Sequence, residues 1–205
     1  MSEERQRALA EVAYCEAILA KSGLTILNEV FADAAAISAW EHHPPGDVFD
    51  PASASQWYYH CHPATAGDRE HGHFHCFIRP AGASGPVHHL VAVGVDAGGR
   101  PIRLFTVNQW VVGDAWIDAP TAIALLSRFD VQMPRPSYLL NRWLSGLVRA
   151  YEPQIGQLLL DRDRTLAESA GGRPAAVVRE DRSLEVLSEL PIGTGASGGR
   201  PGAGD

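Results

Sequence analysis

Gln56-Trp57-Tyr58-Tyr59-His60-Cys61-His62 and His71-Gly72-His73-Phe74-His75-Cys76-Phe77-Ile78 are the two stretches that decide the fold. Both are rich in aromatic residues and alternate with period two, the signature of strands. An eight-residue polar loop, Pro63 to Glu70, joins them. Side chains alternate faces along a strand. Trp57, Tyr59 and Cys61 therefore share one side of the first strand, and Tyr58, His60 and His62 the other. In the second, Gly72, Phe74, Cys76 and Ile78 share one side, and His71, His73, His75 and Phe77 the other. Pairing about the middle of the loop sets His62 against His71, His60 against His73 and Tyr58 against His75. On the reverse face Tyr59 meets Phe74 and Trp57 meets Cys76. A slip of one residue would bury the imidazoles and expose the aromatics, so the pattern specifies its own parity.

Working outward, Val87 to Val95 and Ile102 to Val111 read as a second strand pair around the turn cluster Asp96-Ala97-Gly98-Gly99-Arg100-Pro101. Before the strands, residues 3–21 read as an amphipathic helix. Ser2 is its N-cap, Glu3 and Glu4 occupy its first turn, and Ala8, Val12, Cys15 and Leu19 recur at helical spacing. Leu24 to Phe31 fits a short strand or a helix, and Ala34 to Trp40 reads as a helix. His42 to Pro51, with three prolines and a glycine, reads as a loop without regular structure. Beyond the strands, helices are expected from Pro120 through Phe129, from Tyr138 to Tyr151 and from Pro153 to about Ala170. Leu184 to Leu190 fits a strand or a helical turn. The expected class is α+β: an antiparallel sheet of at least four strands with N- and C-terminal helices packed on one face. Residues 1–190 would form a single domain and 191–205 a Gly-rich disordered tail.

The chain has 205 residues, a formal net charge of −7 and 45% hydrophobic residues, enough for a real core. The acidic balance argues against a nonspecific nucleic-acid binder and against an anionic-membrane binder, since both need a surplus of Lys and Arg. No run approaches the roughly 18 apolar residues of a membrane span, and Met1-Ser2-Glu3-Glu4-Arg5 does not resemble a secretory signal. Cys15, Cys61 and Cys76 form no CxxC pair, which argues against a disulfide scaffold and suits a reducing cytoplasm. All three thiols fall on apolar faces and read as core.

All nine histidines lie between His42 and His89. Directly opposed strand residues stand about 4.5–5.5 Å apart at Cβ. Imidazoles at that spacing can converge on one ion, which binds their neutral form and removes both the cost of burying them and their repulsion when protonated. His60, His62, His71, His73 and His75 are therefore the candidate ligands of a divalent transition metal. Three imidazoles with an open position suit zinc; two with a carboxylate suit iron. Glu70 could complete such a site, and Tyr58 could donate a proton or anchor substrate. His88 and His89, expected opposite Gln109 and Asn108, read as supporting residues; His42, His43, Asp47 and Asp50 stay unassigned. Asp161-Arg162-Asp163-Arg164 reads as a solvated helix face, with capping of the site from a helix as the alternative. The same alternation would also suit a solvated sheet face on which histidine is a tolerant polar residue.

Three resemblances bear on function. His71-Gly72-His73-Phe74-His75-Cys76-Phe77 resembles the histidine-triad signature of nucleotide hydrolases and transferases, which implies His73 as a phosphoryl-accepting nucleophile. Gly72 and the mid-chain position depart from that pattern. The His-x-His pair resembles the start of a cupin motif, but no acid follows His75. More broadly, Pro45-Gly46-Asp47-Val48-Phe49-Asp50, the two strand stretches with Glu70, Leu104 to Val111 and Leu159 to Asp163 resemble a bacterial family of unknown function. That likeness spans about residues 40–165 and implies membership without an activity.

The leading expectation is a cytoplasmic metal-binding protein with a zinc or iron centre on the sheet. It would be a metalloenzyme if a small-molecule substrate reaches the ion; His73, Tyr58 and Glu70 are then the catalytic candidates. Metal-free phosphoryl or nucleotidyl transfer through His73 and a non-catalytic ligand-binding module are the alternatives.

Overall fold

The computed structural model describes residues 2–32, 34, 36–63 and 67–193. The tail from residue 194 onward lies outside the described residues. The sheet has six antiparallel strands in the order β1 (His43–Asp50), β2 (Ser55–Cys61), β3 (Gly72–Ile78), β4 (His88–Val95), β5 (Pro101–Val107) and β6 (Val186–Pro191). Each strand pairs with the next in sequence, so the sheet is a meander closed at its far edge by the C-terminal strand. The α+β reading stands, with two more strands than its minimum.

The helices are α1 (Glu3–Ala20), α2 (Ile26–Val30), α3 (Gln109–Val112), α4 (Ala119–Leu126), α5 (Tyr138–Ala150), α6 (Glu152–Ala170) and α7 (Ala175–Arg179). Helix α1 buries Ala8, Val12, Cys15 and Leu19, the stripe its spacing predicts. Helices α1, α2, α4, α5 and α6 supply the apolar residues that join Trp57, Tyr59, Phe74, Cys76 and Ile78 in one core. Trp57 and Asn141 of α5 are both fully buried, and the indole Nε1–H donates to Asn141 Oδ1 at 2.9 Å. The aromatic side of β2 and β3 therefore faces the helices.

The β2–β3 register agrees with the expected pairing: Tyr58 faces His75, Tyr59 faces Phe74, His60 faces His73 and Trp57 faces Cys76. Three other expectations need correction. Residues 43–50 form an edge strand and not a loop. An edge needs ladder bonds on one side only, so prolines are tolerated there. The pairing also breaks between His43 and Val48, where Gly46 and Asp47 take positive φ of 83° and 59°. Strand β5 stops at Val107, and the Asn108 side chain caps α3, so Asn108 and Gln109 do not face His88 and His89. Arg162 is not on a solvated face: it is 2% exposed, lies over the Trp116 ring and donates to the Ile117 carbonyl oxygen.

Candidate metal centre

Two cross-strand rows build the site. His60, His73, Gly94 and Arg103 lie side by side across β2, β3, β4 and β5; Tyr58, His75, Ala92 and Phe105 form the neighbouring row. The face they make is not solvated. His73 is 5% exposed and His75 fully buried. Phe105 packs edge-on against His73 with ring centroids 4.9 Å apart.

The imidazoles converge through their Nε2 atoms. His60 Nε2 lies 2.8 Å from His73 Nε2 and 3.4 Å from His62 Nε2. The candidate ligand atoms of His60, His62 and His73 all fall within 4.8 Å of one another, and this is the set of three or more potential ligands found among the described residues. Nitrogens bound to one ion at about 2.0–2.1 Å stand about 2.9–3.4 Å apart, from octahedral to tetrahedral geometry.

Glu70 orients the set. Its carboxylate can only accept, so His73 Nδ1–H donates to Glu70 Oε1 at 2.8 Å and His73 Nε2 carries a bare lone pair. That lone pair has two neighbours, His60 Nε2 and, at 3.0 Å, His75 Nε2. One lone pair accepts one good hydrogen bond, so protein donors alone leave this cluster of nitrogens badly matched. A cation would resolve the mismatch. Glu70 reaches its position through the gap at Gly94, where a side chain would overlap its carboxylate, and its second oxygen accepts from Arg103 Nε. Arg103 Nη1 also donates to Glu189 of β6 at 3.1 Å.

The electrostatics favour neutral rings beside an ionised acid. Burial, helped by the neighbouring imidazoles, pushes His60 down to about 3 and His75 well below its usual value. Burial also lowers His73, against the pull of Glu70. For Glu70 burial acts upward, but hydrogen bonds and charges from His73 and Arg103 outweigh it and hold the carboxyl at about 2. Neutral imidazole is the metal-binding form.

The other candidates separate. His71 follows the end of the ladder and turns to the helix side, where its Nδ1 shares a 2.6 Å hydrogen bond with the Tyr59 hydroxyl and its ring meets Phe31. Gly72 makes this possible, because a Cβ there would overlap the His60 carbonyl and the Tyr59 hydroxyl. His75 lies behind His73, and its Nδ1 is 3.1 Å from His89 Nε2. His89 reaches this face through a bulge: Cys76 pairs with Val91 but Phe77 with His89, so Leu90 is skipped. His88 points elsewhere and bonds the Ala115 carbonyl. Tyr58 is buried beside His75, and burial holds its hydroxyl well above the usual phenol range. Asp50 caps the 51–54 turn and accepts from the Gln132 backbone. His43 is buried, and among the described residues neither ring nitrogen has a hydrogen-bond partner. The three cysteines are free and buried.

Sequence reasoning missed Arg103 and Trp40. Arg103 had a signal, a cation within an otherwise apolar strand at the parity of Phe105. Trp40 had none; it stacks on His62 with centroids 4.5 Å apart, a contact only the folded loop creates. A cavity of about 210 Å³ beside Trp116, lined by Asp163, Leu166, Arg173 and Arg179 among others, contains none of the histidines.

The family model described as Domain of unknown function (DUF6969) matches residues 6–192. The chain belongs to that family. The match covers every strand and helix that builds the site except the first turn of α1. No curated protein and no solved structure gave a match. No helix among the described residues is long and apolar enough to cross a membrane.

Proposed function

We propose that this DUF6969 protein binds a divalent transition metal, zinc or iron(II), through Nε2 of His60, His62 and His73. The observation that carries the reading is the meeting of three imidazole nitrogens, one of them stripped of its hydrogen by Glu70. A carboxylate–histidine pair of this kind orients a ligand ring and raises its basicity. Three imidazoles leave a coordination position for water or a small-molecule substrate, which makes the site suited to a metalloenzyme. Free, buried thiols fit a reducing cytoplasm. Phosphoryl transfer through His73 is less well supported, because its Nε2 is hemmed in by His60 and His75 and the residue is 5% exposed.

Elemental analysis of protein purified without an affinity tag tests the reading. About one equivalent of zinc or iron is expected, lost on dialysis against a chelator. Restoring zinc at a hundred times its dissociation constant should stabilise the fold by about 2.7 kcal/mol and raise Tm by about 5–10 °C. Less than about 0.2 equivalents, with no thermal shift on adding zinc, iron or copper, would sink it.

A further inference from the structure

Residues 40–43 run alongside β2 next to the three histidines: Trp40 N–H donates to the Cys61 carbonyl oxygen at 3.0 Å, and His43 pairs with Tyr59. Trp40 stacks on His62 and meets His60 edge-on at 5.9 Å. His42 stacks on Tyr58, with centroids 3.5 Å apart and planes 9° from parallel. On β2, His60 lies between His62 and Tyr58 on the same face. Along β2, Trp40 therefore lies toward the His62 end of His60 and His42 toward the Tyr58 end. The pairing of His43 with Tyr59 accounts for this: it sends His43 to the helix side and leaves His42 on the imidazole side.

His42 is also held in one tautomer. Its Nδ1 lies 2.9 Å from Asp47 Oδ1, and a carboxylate can only accept, so Nδ1–H donates and Nε2 is bare. The other oxygen of Asp47 accepts from Gln56 Nε2 at 2.7 Å, and Gln56 Oε1 accepts in turn from Arg79. Asp47 takes its place at a left-handed backbone position, φ 59°, where a non-glycine residue is under strain. The side chain of His42 is 46% exposed.

The geometry points to His42, oriented by Asp47, as the proton acceptor for water or a protic ligand bound to the ion at His60, His62 and His73. This rests on the metal reading above. The proton leaves the bound oxygen for His42 Nε2, the oxygen stays on the ion as hydroxide or ligand anion, and the imidazolium is balanced by the Asp47 carboxylate. Asp47 acts through His42 and is a positioning residue. The titratable groups that face His42 are Asp47 of β1, Tyr58 and His60 of β2 and His75 of β3; a charge on His42 is felt at both His60 and His75.

Cobalt(II)-loaded protein tests this at about pH 8, where a free imidazole is neutral. Two probes are titrated by visible absorption: acetohydroxamic acid, which must give up a proton to bind as its anion, and azide, which need not. His42→Gln should weaken acetohydroxamate about tenfold or more and azide less than about twofold. Asp47→Asn, a residue that tolerates left-handed backbone, should move acetohydroxamate in the same direction. Equal effects on both probes, no effect on either, cobalt-loaded wild type that takes up neither probe, or loss of cobalt from the variants would overturn the role of His42 and leave the metal centre standing. Wild-type protein that takes up no cobalt would remove both.

Discussion

Glu70 and His73 show how one hydrogen decides what a histidine can do. With an ionised acid on Nδ1, the ring presents only a lone pair at Nε2, whatever the surroundings. Glu70→Gln removes that constraint, since an amide can donate as well as accept. Zinc affinity should fall about 10–100-fold, read by competition with a chromogenic chelator, while the far-ultraviolet spectrum stays unchanged. An affinity equal to wild type would take Glu70 out of the centre. His71, one residue from Glu70, gives the contrasting case. Its parity in the sequence matches that of His73, yet it lies beyond the last pair of the ladder, Cys61 with Gly72, and bonds Tyr59 on the other side. His71 and Gly72 both meet Val95 of β4, whose carbonyl oxygen accepts the His71 N–H at 2.8 Å, and this irregularity at the start of β3 breaks the alternation.

At the scale of elements, two glycines of the sheet have opposite consequences. A side chain at Gly72 would meet the backbone carbonyl of His60, which cannot move without breaking the β2–β3 ladder. At Gly94 it would meet side-chain atoms and no backbone, the Glu70 carboxylate and Arg103 Cγ at 2.9 Å. Gly72→Ala should therefore cost about 2 kcal/mol or more in a denaturant melt. Gly94→Ala should leave stability within about 1 kcal/mol of wild type but weaken zinc binding by displacing Glu70. If the two variants behave alike, Gly94 has no special part in seating that acid. Strands β2 and β3 were legible from aromatic alternation, and so was the pairing of His60 with His73, whereas β1 read as a loop. The bulge that skips Leu90 was not: without it His89 would pair with Ile78 on the helix side. Nothing in the local sequence marks one residue of an apolar run as the one left unpaired.

Across the whole molecule, charge ties the loop after α4 to α5 and, through Arg142, to α1. Arg142 of α5 bridges Asp130 and Glu11 of α1, and Arg149 adds a second contact to Asp130 at 3.2 Å. Burial alone pushes the Asp130 carboxyl up, but hydrogen bonds from Gln132 and Arg142, with the charges of Arg142 and Arg149, outweigh it and hold the group below the usual carboxylate range. A carboxyl depressed in the folded state adds stability that is complete above its unfolded value, about 3.9, and is lost as pH falls through the folded one. Asp130→Asn should thus cost about 1 kcal/mol near neutral pH, and the difference from wild type should close below about pH 4. A gap that persists undiminished at pH 2.5 would show that packing, not charge, is what Asp130 contributes.

The α+β class, the helix stripes, the parity of β2 and β3 and the gathering of His60, His73 and His75 on the face opposite Trp57 and Phe74 are written in the amino-acid pattern. These follow from periodicity, and period-two and period-3.6 patterns are written residue by residue. Which imidazoles meet is settled by the folded chain alone. It separated His71 from His73, brought His89 through a bulge, set Trp40 and His42 alongside β2, and placed Arg103 of a distant strand beside Glu70. Each of those outcomes depends on where a ladder ends, where it slips or how a loop returns, and such events are set by the packing of remote segments rather than by the pattern of any one of them.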